Sequence, residues 1–576
     1  MRVPTERPEQ AHLLPVDSKD LQGKTSPSRR ASGSKARILA LLALVAVSGH
    51  LYHANCPGRH ALDAQTSVLR NPAYLIQSRN GAVASENKRC SDIGVNVLKD
   101  GGNAVDAAVA ATFCTGVVNM FSSGIGGGGF MTIRIPTNNA STTSEVYTID
   151  FREIAPKLAN ASMYKDDPKS AAYGGLAVGV PGEVRGLEEA HRRWGILPWK
   201  RLVEPAISLA SGWEVDKELG KRIPWFSDLM LNNPDWSSIF APNGRFLQEG
   251  ETISRANLSR TLAVIAEEGA DGFYKGPVAD SIVRKVREAG GILSHEDLEK
   301  YSVIVRRALE GTFRDKKVYT THAPTSGPVL LHMLNLLEHY DFDERNGLNV
   351  HRLVEIMKFG FAARTKICDL QFANDTQQIY EIPTKAFAQK IVGNITDDRT
   401  HPPEYYNPIF DVKTDHGTSH TSVVDLNGMA VSLTSTVNLV FVGTIDNFPA
   451  PGKRPLSSTA PTIFEHADGS FYLAIGGSGG SRIFPSLFQV IANLNWGMDI
   501  SAAIEEGRLH DQLYPVTVDA DNVYPPHLLH DLSQRGHNLT ILDINRVAAV
   551  VQAVLREDSI IYAASDSRKN GIAAGY

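Results

Sequence analysis

The chain has 576 residues, with 58 lysines and arginines against 63 aspartates and glutamates, a formal net charge of −5, and 42% hydrophobic residues. A balance this close to neutral supplies no basic surface for a polyanion, so nucleic acid is not expected as a partner. The length exceeds one average domain, and suits either three domains or one cooperative body built from two processed halves.

Residues 1–37 are polar and rich in Pro, Ser, Arg and Lys, and read as a disordered basic tail. Behind Arg29, Arg30, Lys35 and Arg37 the run Ile38–Val47 is wholly apolar, and Ser48, Gly49, Leu51 and Tyr52 extend it to residues 38–53. That stretch predicts a signal-anchor span with its basic flank in the cytoplasm, hence a single-pass type II membrane protein with its body in the secretory lumen or outside. A cleaved signal peptide ending near Ala46-Val47-Ser48 is the alternative, and the long polar prefix favours the anchor. Six Asn-x-Ser/Thr sequons, at Asn139, Asn160, Asn257, Asn374, Asn394 and Asn538, agree with either and predict a glycoprotein. The four cysteines, Cys56, Cys90, Cys114 and Cys368, have neither zinc-site nor Cys-x-x-Cys spacing; disulfides remain open and do not make the fold.

Lys88–Leu98 alternates Cys90, Ile93, Val95, Val97 and Leu98 with polar residues and ends in Asp100-Gly101-Gly102, a helix and its stop. The small apolar residues of 106–120 predict a buried helix. Ser122–Met131 is glycine-rich but lacks the Gly-Lys-Ser/Thr ending of a phosphate loop and runs directly into the strand Phe130–Ile135, so its glycines are expected to serve close backbone approach. Val146–Glu153 is a second strand ending in charges, where an ordinary solvated ion pair is the plain reading of Arg152-Glu153.

The densest chemistry begins at Gly417-Thr418-Ser419-His420-Thr421-Ser422-Val423-Val424-Asp425. With Asn427-Gly428 and the alternating run Met429–Thr436, it predicts a hairpin with an Asn-Gly turn that brings Thr434–Thr436 back toward Thr418. A turn leading into an ordinary strand has the same appearance. A cut at Gly417–Thr418, however, would give Thr418 a free α-amine beside its own hydroxyl. The reference pKa of such an amine, about 7.7–8.0, makes it a base at neutral pH, so base and nucleophile would be one residue. Farther on, Pro455-Leu456-Ser457-Ser458 and Gly476–Arg482 offer hydroxyls and a glycine backbone able to aim N–H groups at an oxyanion.

Thr418-x-His420-x-Ser422-Val423-Val424-Asp425 resembles the cleavage-site signature of the gamma-glutamyltransferase (glutathione hydrolase) family of N-terminal-nucleophile enzymes. The likeness runs from about Tyr74 to Tyr576 and takes in Asp150–Glu153, Gly179–Gly182, Ile292–Leu298, Ala323–Gly327, His351–Glu355 and Ala564–Tyr576. It implies an α+β fold, a four-layer αββα sandwich made of two autoprocessed subunits, residues 54–417 and 418–576, that stay associated. It further implies that Thr418 is the nucleophile, steadied by Thr436, with Gly479 and Gly480 at the oxyanion. Arg152 would grip the α-carboxylate through its planar fork, while Asn438, Ser457 and Ser458 hold the other glutamyl substituents. The substrates implied are glutathione and other γ-glutamyl compounds, with water as acceptor in hydrolysis and an amino acid or peptide amine in transfer; no metal or organic cofactor is implied.

One departure stands out. Between the Ser-Thr-x-Asn strand and the Pro-Leu-Ser-Ser loop the family carries acidic residues that hold the substrate's α-amino group, whereas this chain passes from Asn438–Val442 through Gly443-Thr444-Ile445-Asp446-Asn447-Phe448 directly to Pro449–Pro455. Asp446 is the carboxylate left there. Losing such a partner costs a substrate ammonium about 2–5 kcal/mol, so weak turnover is expected. Two other functions stay open: a same-fold acylase acting on cephalosporin-type amides, against which Arg152 and Ser457-Ser458 argue, and an anchored homologue with little or no turnover.

Overall fold

The computed structural model of the chain describes residues 71–137, 143–410, 417–438, 447–546 and 549–576. Strand alternation builds its centre. Val83, Val423, Val431 and Leu433 point to one side of their strands and join a core with helices, while their neighbours Ala82, Ala84, Val424 and Ala430 point to the other side.

Two antiparallel seven-stranded sheets result. One runs, in order, Ala574–Gly575, Ala82–Ser85, Thr418–Val424, Ala430–Thr436, Gly128–Pro136, Ser144–Asp150 and Ile304–Arg307. The other runs Ile76–Ser78, Ile560–Ser565, Val550–Glu557, Phe471–Ser478, Thr462–Glu465, Lys316–Thr320 and Leu309–Phe313. The second sheet's inward residues Ile463, Phe471, Ala474, Val554, Ile561 and Ala563 meet the small residues of the first in a thin core between the sheets. Helices Gly327–Leu337, Gly347–Arg364 and Ile483–Asn495 cover the outside of one sheet, and Lys88–Lys99, Ala104–Val118 and Glu183–Trp194 cover the other. The four layers expected from the sequence are therefore present, and each fully buried Leu, Ile or Phe contributes about 1.5–3 kcal/mol to holding them. Residues on both sides of Gly417 lie in both sheets, so the two halves of the chain interdigitate rather than form separate domains.

The predicted local elements recur with shifted edges. The first helix is Lys88–Lys99, capped by Asn87, and the second is Ala104–Val118, started by a capping box of Asn103 and Asp106. Cys90 and Cys114 join these two helices in a disulfide. The turn of the central hairpin is not a two-residue Asn-Gly turn: Val424 pairs with Ala430, Gly428 alone takes the left-handed position at φ 78°, and Gly428 N–H donates to Asp425 O. The Asp425 carboxylate then accepts from the backbone N–H groups of Asn427, Met429 and Ala104, tying the turn to the start of the second helix.

The single-pass membrane reading is corrected. Among the described residues no helix is long and apolar enough to cross a membrane, and the segment 38–53 on which that reading rested lies outside them. The sequon residues Asn160, Asn257, Asn374, Asn394 and Asn538 are exposed, while Asn139 also lies outside the described residues.

Candidate active site

The hairpin register sets Thr418 directly opposite Thr436 at the open end of the two strands. The Thr418 hydroxyl donates to Thr436 Oγ1 at 3.2 Å, and the Thr436 hydroxyl donates in turn to the carbonyl oxygen of Gly417 at 2.5 Å. Val437 N–H donates to the same oxygen at 3.1 Å. Gly417 sits at φ 85°, a conformation that L side chains rarely adopt. The peptide carbonyl preceding Thr418 is thus held by two donors, with a hydroxyl on the next residue.

Behind Thr418 lies a buried charge network. Lys569 Nζ donates to Thr418 O at 3.0 Å and to Ser122 Oγ at 2.9 Å, and it pairs with Glu86. Burial pushes the Lys569 ammonium below its ordinary range, and the Glu86 carboxylate works against that shift. Glu86 also accepts from Ser419 Oγ at 2.9 Å and from Ser478 Oγ. Ser478 immediately precedes Gly479 and Gly480, whose φ values of 123° and 64° turn the chain into the short 3-10 helix and the Ile483–Asn495 helix beyond. His420 is not a base for Thr418: it is enclosed between Thr434 Oγ1 (2.8 Å) and Ser422 Oγ (2.9 Å), and burial pushes it down to about 3, which keeps it neutral.

The expected acyl-binding residues form a continuous chain of contacts leading away from Thr436. Asn438 N–H donates to Thr436 Oγ1 at 3.0 Å, and its side-chain amide donates to Glu153 Oε1 at 2.8 Å. Arg152 Nε lies 3.4 Å from that same oxygen, and Arg152 Nη2 donates to Leu456 O at 3.3 Å. Ser457 Oγ bonds Thr459 Oγ1 at 2.9 Å, and Ser458 Oγ accepts from Arg364 Nη2 at 2.7 Å. Beside this chain is a cavity of about 350 Å³ lined by Gly127, Glu153, Tyr164, Val437, Asn438 and Pro455. The contacts thus link Arg152 and Asn438 to Thr436 and Thr418, while Ser457 and Ser458 follow Leu456, whose carbonyl Arg152 meets, and direct their own hydroxyls to Thr459 and Arg364. Asp446 lies outside the described residues.

Sequence reasoning missed Glu86, Glu153, Arg364 and Lys569. All four are charges whose burial depends on the tertiary fold, and Lys569, beside Arg568 in the C-terminal run Ser567–Asn570, carried no separate signal. A separate buried set, His351, Glu355 and His537, has metal-ligand composition. His351 Nδ1 and His537 Nε2 bond each other, and Glu355 engages Thr400, Tyr406 and the nearby Lys358 ammonium, so the set reads as an internal polar network.

Comparison with known proteins bears on this geometry. The sequence model of the family described as Gamma-glutamyltranspeptidase matches residues 90–445 and 442–576, two stretches that overlap at 442–445. The chain is 39% identical over 545 residues to glutathione hydrolase proenzyme 1 of Schizosaccharomyces pombe, covering 87% of this chain and 85% of that protein. Among solved structures it resembles the Helicobacter pylori gamma-glutamyltranspeptidase, with 33% identity and a TM-score of 0.53 over 56% of this chain and 93% of that one. A cephalosporin acylase from Bacillus halodurans shares the fold, with a TM-score of 0.78 over 88% of this chain and 97% of that one at 22% identity.

Proposed function

The chain belongs to the gamma-glutamyltranspeptidase family, and we propose that it acts on glutathione and other γ-glutamyl compounds through a threonine nucleophile that it creates by cutting itself. The observation that carries this reading is the arrangement around Gly417: Thr436 Oγ1 and Val437 N–H both point at the carbonyl oxygen that would become negative when Thr418 Oγ attacks. Two such donors suit an oxyanion, each contributing about 2.7–4 kcal/mol in comparable sites. Attack forms the Oγ–C bond and breaks the C–N bond, and the departing α-amine takes up the proton. Water then hydrolyses the ester, leaving Gly417 as a carboxyl terminus and Thr418 as an amino terminus.

In turnover the freed Thr418 amine serves as the base for its own hydroxyl, which attacks the γ-glutamyl carbonyl and expels the amine of the leaving group. Gly479 and Gly480 N–H groups stabilise the oxyanion. Arg152, Asn438, Ser457 and Ser458 hold the glutamyl end. Water completes hydrolysis, and an amino acid or peptide amine completes transfer. The large and small subunits stay together because strands from both sides of the cut share each sheet. The acylase alternative rests on a likeness that shows the fold alone, and the Arg152–Asn438–Ser457–Ser458 group favours glutamyl recognition.

N-terminal sequencing of the purified chain tests the reading: two fragments are expected, the smaller beginning at Thr418. Thr418→Ala is expected to give one intact chain without activity on a coloured γ-glutamyl anilide. Fragmentation of that variant at the same bond would refute the assignment.

A further inference from the structure

Among the described residues, the group around Asn438 holds one carboxylate whose chemistry the scheme above leaves unused. Glu153 accepts from Asn438 Nδ2 with Oε1, while its other oxygen, Oε2, is buried and has no hydrogen-bond partner among the described residues. A carboxylate oxygen in that state costs free energy unless a donor reaches it. Nearby polar groups do not take it. The nearest approach of Arg152 is to Oε1, at 3.4 Å, and the Asn438 amide donates to Oε1 as well. Asn438 is itself held at φ 41°, an uncommon conformation for a residue other than glycine, and its side-chain amide meets Glu153. Glu153 and Asn438 both line the cavity that begins at Val437, next to the Gly417–Thr418 peptide.

We infer that Glu153 receives the α-ammonium of the γ-glutamyl substrate, the role for which the sequence offers no acidic loop. The inference rests on the γ-glutamyl reading and deepens it. Arg152 and Glu153 are adjacent in sequence and opposite in charge, so together they present an α-amino-acid head group with its own mirror image: a guanidinium for the carboxylate and a carboxylate for the ammonium. The chemical class selected is therefore a γ-glutamyl amide with a free α-amine. Glutaryl amides, which lack the amine, and N-acylated glutamyl amides, which lack its charge, are disfavoured.

The test uses the self-cleaved chain and compares γ-glutamyl with glutaryl p-nitroanilide. The parent chain is expected to prefer the free-amine substrate in kcat/KM by roughly 30-fold or more, mostly through KM, as loss of a buried charged partner implies. Glu153→Gln keeps the shape and the contact with Asn438, and is expected to bring that ratio close to one; Glu153→Asp is expected to keep part of it. Unchanged selectivity in Glu153→Gln, or an equal loss on both substrates, would overturn the inference. If the cleaved chain turns over neither anilide, calorimetry with L-glutamate and glutarate decides: tighter binding of L-glutamate that Glu153→Gln abolishes supports the role, and equal or absent binding of both overturns it. Failure of the chain to cleave at Thr418 is a different result, and it overturns the nucleophile assignment beneath.

Discussion

Two buried arginines lie near opposite ends of the Gly128–Pro136 strand, Arg134 on it and Arg152 just past the neighbouring Ser144–Asp150 strand, and the two are satisfied very differently. At the turn end Arg134 donates through Nε to Glu465 Oε1, through Nη1 to Gly428 O and through Nη2 to Gly469 O, each at 2.6 Å. At the other end the Arg152 side chain makes, among the described residues, one long hydrogen bond, 3.3 Å to Leu456 O, and lies 3.4 Å from Glu153. Around it Arg152 Nε, Glu153 Oε2, Glu183 Oε1, Ser123 Oγ and both amide atoms of Asn119 are buried without hydrogen-bond partners among the described residues, whereas no side-chain atom of Arg134 or Glu465 is in that state. Buried polar groups are normally paired, so unpaired ones beside the Gly417–Thr418 peptide are candidates for contact with a bound molecule, although atoms such as both amide atoms of Gln552 and Ser565 Oγ are unpaired elsewhere. The same residue type is thus fully paired at one end, and at the other it is the residue for which a substrate-binding role is proposed.

The largest effect that could break this contrast comes from exchanging the two arginines for an apolar residue of similar length. Arg134→Met strands Glu465 as an uncompensated buried charge and is expected to cost roughly 3–5 kcal/mol of stability, measured by urea unfolding in a Thr418→Ala background where the chain stays single. Arg152→Met is expected to cost under about 2 kcal/mol there, yet to lower kcat/KM for γ-glutamyl anilide about 100-fold or more. If the two arginines rank the other way in stability, the distinction between scaffold and receptor fails.

Thr436 sharpens the comparison at the functional end. Thr436→Val removes one of the two donors on the Gly417 carbonyl, and self-cleavage followed on gels is expected to slow by about 100- to 1,000-fold, with Thr436→Ser close to the parent. Equal rates for Val and Ser would mean that the hydroxyl takes no part in the cut.

Glu183 gives a pH-dependent version of the same contrast. Burial pushes its carboxyl up to about 7, against the hydrogen bonds from Ser435 and from the Gly124 backbone. The folded chain therefore binds more protons than the unfolded one between the ordinary carboxylate value of 4.5 and about 7, so stability falls as pH rises through that window and remains lower above it. A shift of this size corresponds to roughly 3 kcal/mol. Glu183→Gln is expected to remove that decline when urea midpoints at pH 5 and pH 8 are compared with the parent. A difference between the two pH values that the substitution leaves untouched would assign the slope to other groups.

Much of this was legible before any coordinates. The alternation of Met429–Thr436 and the glycines of Gly124–Gly129 gave the hairpin and its close neighbour, because side-chain period and missing Cβ atoms are local properties. A Cβ on Gly127 would lie 2.2 Å from Thr436 O, the close approach that the glycine run predicted. Family resemblance names Thr418, Thr436, Arg152, Asn438 and Ser457-Ser458 as site candidates. The orientation of the unpaired Glu153 oxygen and the Lys569–Glu86 pair were not legible, since each joins segments hundreds of residues apart or depends on which lone pairs the fold leaves over. The Asn-Gly turn misled for a local reason: the Asp425 carboxylate, bonded to three backbone N–H groups, favours a wider loop in which Gly428 alone needs φ > 0.

The smallest effect separates the two ends most finely. Gly417 and Gly428 occupy opposite ends of the same hairpin at nearly equal φ, 85° and 78°. Alanine at either position meets the same backbone penalty, so Gly417→Ala and Gly428→Ala are each expected to lower stability by roughly 1–2 kcal/mol in the Thr418→Ala background. Their effects on cleavage should diverge. A methyl at Gly417 would approach Val437 Cγ2 to 3.3 Å, pressing on the residue whose N–H is one of the two donors to the scissile carbonyl. With Thr418 intact, Gly417→Ala is expected to slow self-cleavage about 10-fold, the fraction of an oxyanion donor's worth lost when its geometry is disturbed rather than removed. Gly428→Ala leaves that geometry alone and is expected to cleave at the parent rate. Equal slowing by both would show that cleavage tracks the overall stability of the hairpin, and the precise seating of the Gly417 carbonyl between Thr436 and Val437 would then not be what drives the cut.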